Sequence, residues 1–274
     1  MPARTKHKKE IPVQSKDAKS ALKPSQTPQW PPLSPLPDLE DLTLHPLLPD
    51  QVLTISSLFT SSLAKKYISF LSTLPLTTTP GQPKRGDAVR VNDRFQTTDA
   101  AFAHALWTQT GLSTLLSNPT INNSPLTAEQ TTALWGGDLL GLNPNIRIYR
   151  YTPGQFFDKH YDESNNLLFP VEIPKSDPDD SATGTKTISV PAKTTWTLLL
   201  YLSSPVTGCE GGETVFYPER VKKAKGPEPE PVVAELEVGM ALLHRHGGEC
   251  LLHEGREVKR GEKWVIRSDV CVRR

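Results

Sequence analysis

From residue 145 onward, short apolar runs alternate with Gly and Pro turns. IRIYRY, TWTLLLYLSS, TVFYP, VVAELE, GMALLH and KWVIRSDVCV are rich in Ile, Val, Leu, Tyr and Trp, the pattern of antiparallel strands. No helix-length connection separates the later runs, so a double-stranded β-helix (jelly-roll) fits better than a parallel α/β sheet. Upstream the period changes. QVLTISSLFTSSLAKKYISFLSTL sets Val52, Ile55, Leu58, Phe59, Leu63, Tyr67, Phe70 and Leu71 near helical spacing and ends at Pro75, which predicts a helix on the core. A second helix, capped by Asp99, is expected to carry Phe102, Leu106, Trp107 and Leu115. Between them Arg90, Asn92 and Arg94 alternate on a short extended piece. The expected fold class is mainly β with flanking helices, divided into a helical flank over 51–144 and a jelly-roll core over 145–274.

Residues 1–50 read differently. Six Lys or Arg fall in the first twenty positions, and SQTPQWPPLSPLPDLEDLTLHPLLPD follows. So little apolar surface cannot offset the entropy of ordering, which predicts a disordered basic and proline-rich arm. Lys6, Lys8 and Lys9 form a patch suited to nuclear import or phosphate contact, or simply a solvated tail.

With 274 residues and 36% hydrophobic content, the chain can bury one substantial core. A formal net charge of +1 removes any whole-chain field for nucleic acid or membrane. Cys209, Cys250 and Cys271 are an odd set without C-x-x-C, so neither a disulfide framework nor a zinc knuckle is indicated. No run of about eighteen apolar residues exists, and MPARTKHKKE lacks the apolar segment of a secretory signal. A soluble intracellular protein, cytoplasmic or nuclear, without a membrane partner is the expectation.

The candidate chemistry lies in RYTPGQFFDKHYDES. On an extended strand, residues two apart share a face at about 7 Å, so His160 and Asp162 can lean onto one ion. His253, in LLHEGREVKRGEKWVIRSD, is a third candidate ligand. Two imidazoles and one carboxylate on one face of an octahedron leave three positions open, the arrangement of non-haem Fe(II) oxygenases. Lys263 follows His253 by ten residues, and Lys263, Val265, Arg267 and Asp269 share a strand face. A buried ammonium there needs an anionic partner. A rival H-x-H, His244 and His246 in ALLHRHGG, could join His253 in a three-histidine site. The following Gly247 and Gly248 instead suggest a strand running into a turn, with these rings at the pocket wall or in solvent.

At these residues the chain resembles the 2-oxoglutarate- and Fe(II)-dependent oxygenases, within them the prolyl 4-hydroxylase-like catalytic domains. The resemblance runs from about Arg90 to Asp269 through YRYTPGQFFDKHYD, TWTLLLYLSS with GCEGGETVFYPE, VGMALLHRH and HEGREVKRGEKWVIRSDV. It implies His160, Asp162 and His253 as iron ligands and Lys263 as the partner of the distal 2-oxoglutarate carboxylate. Tyr151 would line the cosubstrate pocket, and Thr197, Tyr201, Thr214 and Phe216 are further pocket candidates. Arg267 competes with Lys263 for the carboxylate, and the ten-residue spacing favours Lys263. The chain departs from the pattern between Asp162 and Trp196, where residues 163–195 are expected to form a loop over the mouth or an inert surface loop.

The resemblance implies a dioxygenase that hydroxylates a substrate carbon while releasing succinate and CO2, with ascorbate keeping the iron reduced. The substrate is a protein or a small molecule, a prolyl residue being the first candidate. Two other classes remain open at this point. One is a non-catalytic β-sandwich binding module with vestigial metal residues; the other is a nucleic-acid-directed oxygenase, which near-neutral charge argues against. Oligomeric state is not legible in the sequence.

Overall fold

Period-two alternation in TWTLLLY and KWVIRSDV organises the architecture. A computed structural model describes residues 27–79, 88–174, 185–219 and 229–274. Its first half contains β1 (Leu44–Leu48), β2 (Val52–Ile55), α1 (Ser61–Leu71), β3 (Thr77–Thr78), β4 (Arg90–Val91), β5 (Asp93–Thr98), α2 (Ala100–Gln109), α3 (Leu112–Ser117), β6 (Thr120–Ile121), β7 (Ser124–Pro125) and α4 (Ala128–Trp135). There follow β8 (Leu139–Leu142), β9 (Asn145–Tyr151), β10 (Phe156–His160), β11 (Asn166–Pro174), β12 (Thr185–Tyr201), β13 (Glu210–Gly211) and β14 (Thr214–Tyr217). The chain ends in β15 (Val232–Ala234), β16 (Ala241–Arg245), β17 (Leu252–Gly255), β18 (Val258–Arg260) and β19 (Lys263–Arg273).

Two antiparallel sheets face each other. The larger runs β1-β2-β16-β12-β19-β9-β5-β3, and the smaller runs β15-β14-β17-β10-β4. This is the mainly β, jelly-roll architecture expected. Because side chains alternate across a sheet, β12 and β19 each serve two cores. Trp196, Leu198 and Leu200 with Trp264, Ile266, Val270 and Val272 join a large cluster that includes Phe59, Leu63, Tyr67, Phe102 and Trp135 from the helical layer. On the other face Tyr201 and Val265, with Tyr149 and Tyr151 of β9, pack against Phe216 and Ala234 of the smaller sheet. Fully burying each such large side chain contributes on the order of 2–3 kcal/mol.

Several local expectations are corrected. Residues 27–50 are packed, not an arm. Trp30 stacks on Phe102 at 3.8 Å and donates its indole N–H to Asp99 at 2.7 Å, and Leu33, Leu42 and Leu44 are core residues. β1 pairs with β2 at the sheet edge. The basic patch at Lys6, Lys8 and Lys9 lies outside the described residues. The helix expected from residue 51 begins only at Ser61, with Thr60 as its cap; Val52–Ile55 is a strand paired to β16. Apolar residues three and four apart satisfied the helical pattern there, yet sheet pairing won.

The Asp99 cap is present, its carboxylate accepting from Phe102 N–H at 2.9 Å. Gly111, at φ +79°, then breaks the expected single helix into α2 and α3. A side chain at that backbone conformation would be strained. Where a loop was expected over 163–195, the described residues are instead paired strands, β11 pairing with β12 from Asn166↔Lys193 to Pro174↔Thr185. Leu168 and Phe169 sit opposite Pro191 and Val190, so the insertion prolongs the large sheet.

Candidate metal centre

Strand pairing places the expected donors in one spot. In the smaller sheet, β10 sets His160 opposite His253 of β17, and β14 sets Phe216 on the other side of His253. The two imidazoles lie 4.2 Å apart, centroid to centroid. Asp162 follows β10, held by its own backbone: its N–H points at the Cys250 thiol, and its carbonyl accepts from Gly247 N–H at 2.8 Å. The larger sheet supplies the opposite wall, with Thr197 of β12 flanked by His244 of β16 and Asp269 of β19.

Around Asp162 the distances are specific. Its Oδ1 is 3.8 Å from His160 Nε2, and its Oδ2 is 3.9 Å from His253 Nε2. Donor atoms bound to one ion at about 2.1 Å sit roughly 3.0 Å apart when adjacent and about 4.2 Å apart when opposite. Both separations fall in that range, and the donor atoms of His160, Asp162 and His253 all lie within 4.8 Å of one another. Each imidazole is also set for ligation. His160 Nδ1 meets the Asp158 carbonyl at 2.8 Å, and His253 Nδ1 meets the Leu251 carbonyl at 2.9 Å. A carbonyl only accepts, so Nδ1 carries the proton and Nε2 keeps its lone pair.

Electrostatics agree with this donor set. Burial, then the His253 ring, pushes His160 down to about 3, and burial likewise lowers His253. Burial is the largest single influence on Asp162 and opposes ionisation, but the Arg267 guanidinium and the three nearby histidines together outweigh it and hold the carboxyl well below its usual range. Neutral imidazoles beside an ionised carboxylate are what a divalent cation requires. The residues therefore fit the metal that the sequence pattern implies.

Asp162 is further fixed through Oδ2, which accepts from Thr197 Oγ1 at 2.8 Å and pairs with Arg267 Nη2 at 3.0 Å. Arg267 also faces Asp269 Oδ1 at 3.5 Å. The two aspartates stabilise its charge against the cost of burial. Arg267 is thereby engaged with Asp162, the candidate ligand itself. Lys263, which the sequence favoured for the cosubstrate, is buried at the other end of the same cavity. Its Nζ donates to the Gly212 carbonyl at 2.6 Å and lies 5.5 Å from the Tyr151 ring and 5.1 Å from that of Tyr201. Gly212, at φ +80°, leaves room for this approach, since a Cβ there would come within 3.1 Å of the Lys263 side chain. Burial lowers Lys263 to about 8. Cys209 and Glu213 partly offset that burial, and a buried ammonium hydrogen-bonded to a carbonyl and set beside two aromatic rings is suited to a carboxylate.

The cavity between these groups is narrow, about 40 Å³, and includes Tyr149, Tyr151, Phe157, Leu199, Thr214 and Val265 in its walls. Tyr201 hydroxyl and Thr214 hydroxyl share a 2.7 Å hydrogen bond beside Lys263, and Phe216 lies 5.6 Å from the His253 ring. The pocket candidates thus come together with the donors. At the rim, Arg90 lies over Tyr149 and Phe157 at 5.8 and 5.0 Å. Arg94 pairs across strands with Tyr149, while Asn92 is fully buried. None of the described residues within 163–195 lines this cavity. Phe169, Pro170, Val171, Glu172 and Thr187 line a separate cavity against α2 and β8.

Of the two places expected for the rival histidines, pocket wall or solvent, solvent is excluded: His244 and His246 are both buried. His246 Nδ1 meets Thr197 Oγ1 at 3.0 Å, behind Asp162, so a site formed by 244, 246 and 253 does not assemble. His244 does line the cavity. Period-two alternation in ALLHRH puts both imidazoles on one face, the signal that could have placed them inside; the register Thr197↔His244 that aims His244 at Asp162 is a tertiary fact.

No protein-family model matches the chain, and no curated protein sequence does. Among solved structures, the chain is similar to a viral collagen prolyl hydroxylase from Paramecium bursaria Chlorella virus-1, at 16% identity over 81% of this chain and 96% of that one, with a TM-score of 0.46. A Pseudomonas putida prolyl-4-hydroxylase matches at 13% identity over 82% and 94%, with a TM-score of 0.47. HygX from Streptomyces hygroscopicus, solved with nickel and 2-oxoglutarate bound, matches at 15% identity over 81% and 83%, with a TM-score of 0.43.

Proposed function

We propose that the chain is an Fe(II)- and 2-oxoglutarate-dependent dioxygenase that hydroxylates a substrate carbon. The observation that carries this is one cavity with the neutral imidazoles of His160 and His253 and the ionised Asp162 at one end, and the buried Lys263 ammonium at the other. His160, Asp162 and His253 would hold the iron. When bound, the iron would supply dioxygen activation, coupling decarboxylation of 2-oxoglutarate to succinate and CO2 with hydroxylation of the substrate.

The protein's part is binding and orientation. Lys263 anchors the distal carboxylate of the cosubstrate, exchanging its carbonyl contact for a charged one. Tyr151 and Tyr201 form the walls beside that ammonium and exclude water, which strengthens the ion pair. Thr197 and Arg267 keep Asp162 ionised and aimed. Arg90, set over the Tyr149 and Phe157 rings, marks the side from which substrate enters. A peptide or a small molecule is the substrate class, with a prolyl residue as first candidate from the sequence resemblance, and ascorbate is the expected reductant.

Aerobic incubation with Fe(II), 2-oxoglutarate and ascorbate tests this reading. Succinate should form slowly even without substrate, and His160→Ala and Asp162→Ala should abolish it. A folded protein that holds metal but makes no succinate would return the reading to a non-catalytic binding module.

A further inference from the structure

The cavity face of the large sheet carries more positive charge than it neutralises. Residues directly opposite in an antiparallel pair project to the same side, as do residues two apart on one strand. Tyr149 lines the cavity. Arg94, opposite it on β5, Arg147, two positions before it on β9, and Arg267, opposite Arg147 on β19, therefore share its face. Arg90 joins them from the smaller sheet, where it pairs with Phe157 and lies over both the Phe157 and Tyr149 rings. These four guanidinium groups meet two carboxylates, since Arg147 is 3.5 Å from Asp269 and Arg267 reaches Asp162 and Asp269. Glu254, another acidic residue of the cavity wall, is engaged with the Tyr217 hydroxyl at 2.6 Å. Among the described residues, Arg90 and Arg94 are paired with no carboxylate, and the Gln96 side-chain oxygen accepts from Arg94. Burial lowers Arg94 from its ordinary value; Tyr149 opposes this, and Arg90, Arg147 and Arg267 lower it further. Arginine nevertheless keeps its charge, so the cluster repels itself until an anion enters.

We infer that the substrate carries a carboxylate close to the carbon that reacts, and that Arg90 and Arg94 select it. This deepens the proposed oxygenase reading and rests on it. The cosubstrate does not need these two groups, because Lys263 and the metal would take its two carboxylates. A guanidinium fork pairs with a carboxylate through two parallel hydrogen bonds, and the aromatic rings beneath Arg90 keep water from one side of such a pair, which strengthens it. The Phe157 ring in turn stacks on His160 at 3.5 Å, with the Arg90 guanidinium 5.0 Å from the Phe157 centroid. An extended peptide advances about 3.3 Å per residue, so an acidic side chain bound there lies within about three positions of the residue held at the metal.

The test is anaerobic fluorescence polarisation of labelled peptide pools with a central proline, added to the full chain loaded with Mn(II) and 2-oxoglutarate. One pool has Asp or Glu near the proline, a second has Asn or Gln there, and a third has phosphoserine. The acidic pool should bind about tenfold more tightly than the amide pool. Replacing Arg90→Met and Arg94→Met together should remove that preference while Mn(II) and 2-oxoglutarate affinities hold. If the double variant does not fold, Arg94→Gln alone should reduce the preference and Arg94→Lys should restore part of it. Displacement of the acidic pool by N-acetylglutamate would place the carboxylate on a small molecule, and failure to displace it would place the carboxylate in a peptide; either result keeps the inference. Equal signals from the acidic and amide pools, including none from either, would overturn it, as would tighter binding of the phosphoserine pool. Failure of His160→Ala to weaken Mn(II) binding would instead remove the underlying metal site, so the two failures are distinguishable.

Discussion

β12 and β19 present two opposite surfaces made from one sequence pattern, and the contrast separates stability from chemistry. Toward the helices they offer Trp196, Leu198, Leu200, Trp264 and Ile266, which are at most 2% exposed. Trp196 meets Trp135 edge-on at 5.2 Å and donates to the Leu134 carbonyl at 3.0 Å. Toward the cavity the same strands offer Thr197, Lys263, Arg267 and Asp269, also largely buried but polar or charged. The first surface gains free energy from burial. The second spends some of it, because each charge must be desolvated and then compensated. Residues one position apart should therefore respond oppositely to substitution.

The largest effect is expected on the apolar face. Trp196→Ala should cost about 3–5 kcal/mol of unfolding free energy, read by urea denaturation, whereas the surviving folded fraction should bind Mn(II) with unchanged affinity. A drop in affinity would mean that the two faces are coupled. Next comes Arg267→Met, which strands a buried carboxylate. The metal-free protein should lose about 3 kcal/mol, and saturating Mn(II) should restore most of it by supplying the missing positive charge. A loss that metal does not repair would make Arg267 a packing residue only.

On the polar face, His160→Ala should leave metal-free unfolding within about 1 kcal/mol of wild type. Mn(II) affinity should fall at least about a hundredfold, roughly 2.7 kcal/mol, measured by calorimetric titration. Acid should single out the same face. His160, His244 and His253 are lowered by burial, so below about pH 6.5 the unfolded chain takes up protons that the folded chain refuses. Stability of the metal-free protein should fall as pH drops from there, by up to about 1.4 kcal/mol per pH unit for each histidine. A flat profile between pH 6.5 and 5 would contradict their buried neutral state.

The smallest effect belongs to Lys263. Lys263→Met should weaken 2-oxoglutarate binding about tenfold without destabilising the fold, since it removes a desolvated charge. Its lowered value of about 8 adds a pH signature. The folded chain binds fewer protons than the unfolded one between about 8 and its ordinary value, so this lysine favours folding as pH rises through that window. Cosubstrate affinity should change oppositely, weakening above about pH 8 as the ammonium is lost. Unchanged affinity in the variant would move the carboxylate contact to Arg267.

The difference between the faces also explains what was legible in the sequence. Period-two runs revealed the core strands and put Lys263, Arg267 and Asp269 on one side, because that information is local. H-x-D placed His160 and Asp162 for the same reason. The pairing Thr197↔His244 and the ion pair of Arg267 with Asp162 depend on register between distant strands, which alternation does not encode. Val52–Ile55 read as helix because apolar spacings of three and four suit both a helix and an irregular strand entry. α4 carries a local signal of the same kind: Thr127 and Gln130 form a reciprocal capping box. Residues 27–50 looked unfoldable by composition, yet Trp30 and a few leucines suffice to anchor them.

The most direct test is anaerobic addition of Fe(II) and 2-oxoglutarate to the purified chain, followed by visible spectroscopy. The account predicts a weak charge-transfer band that requires both components and disappears in His160→Ala and His253→Ala. A band that persists without His160 and His253, or none in a folded wild-type protein that binds both components, would contradict it.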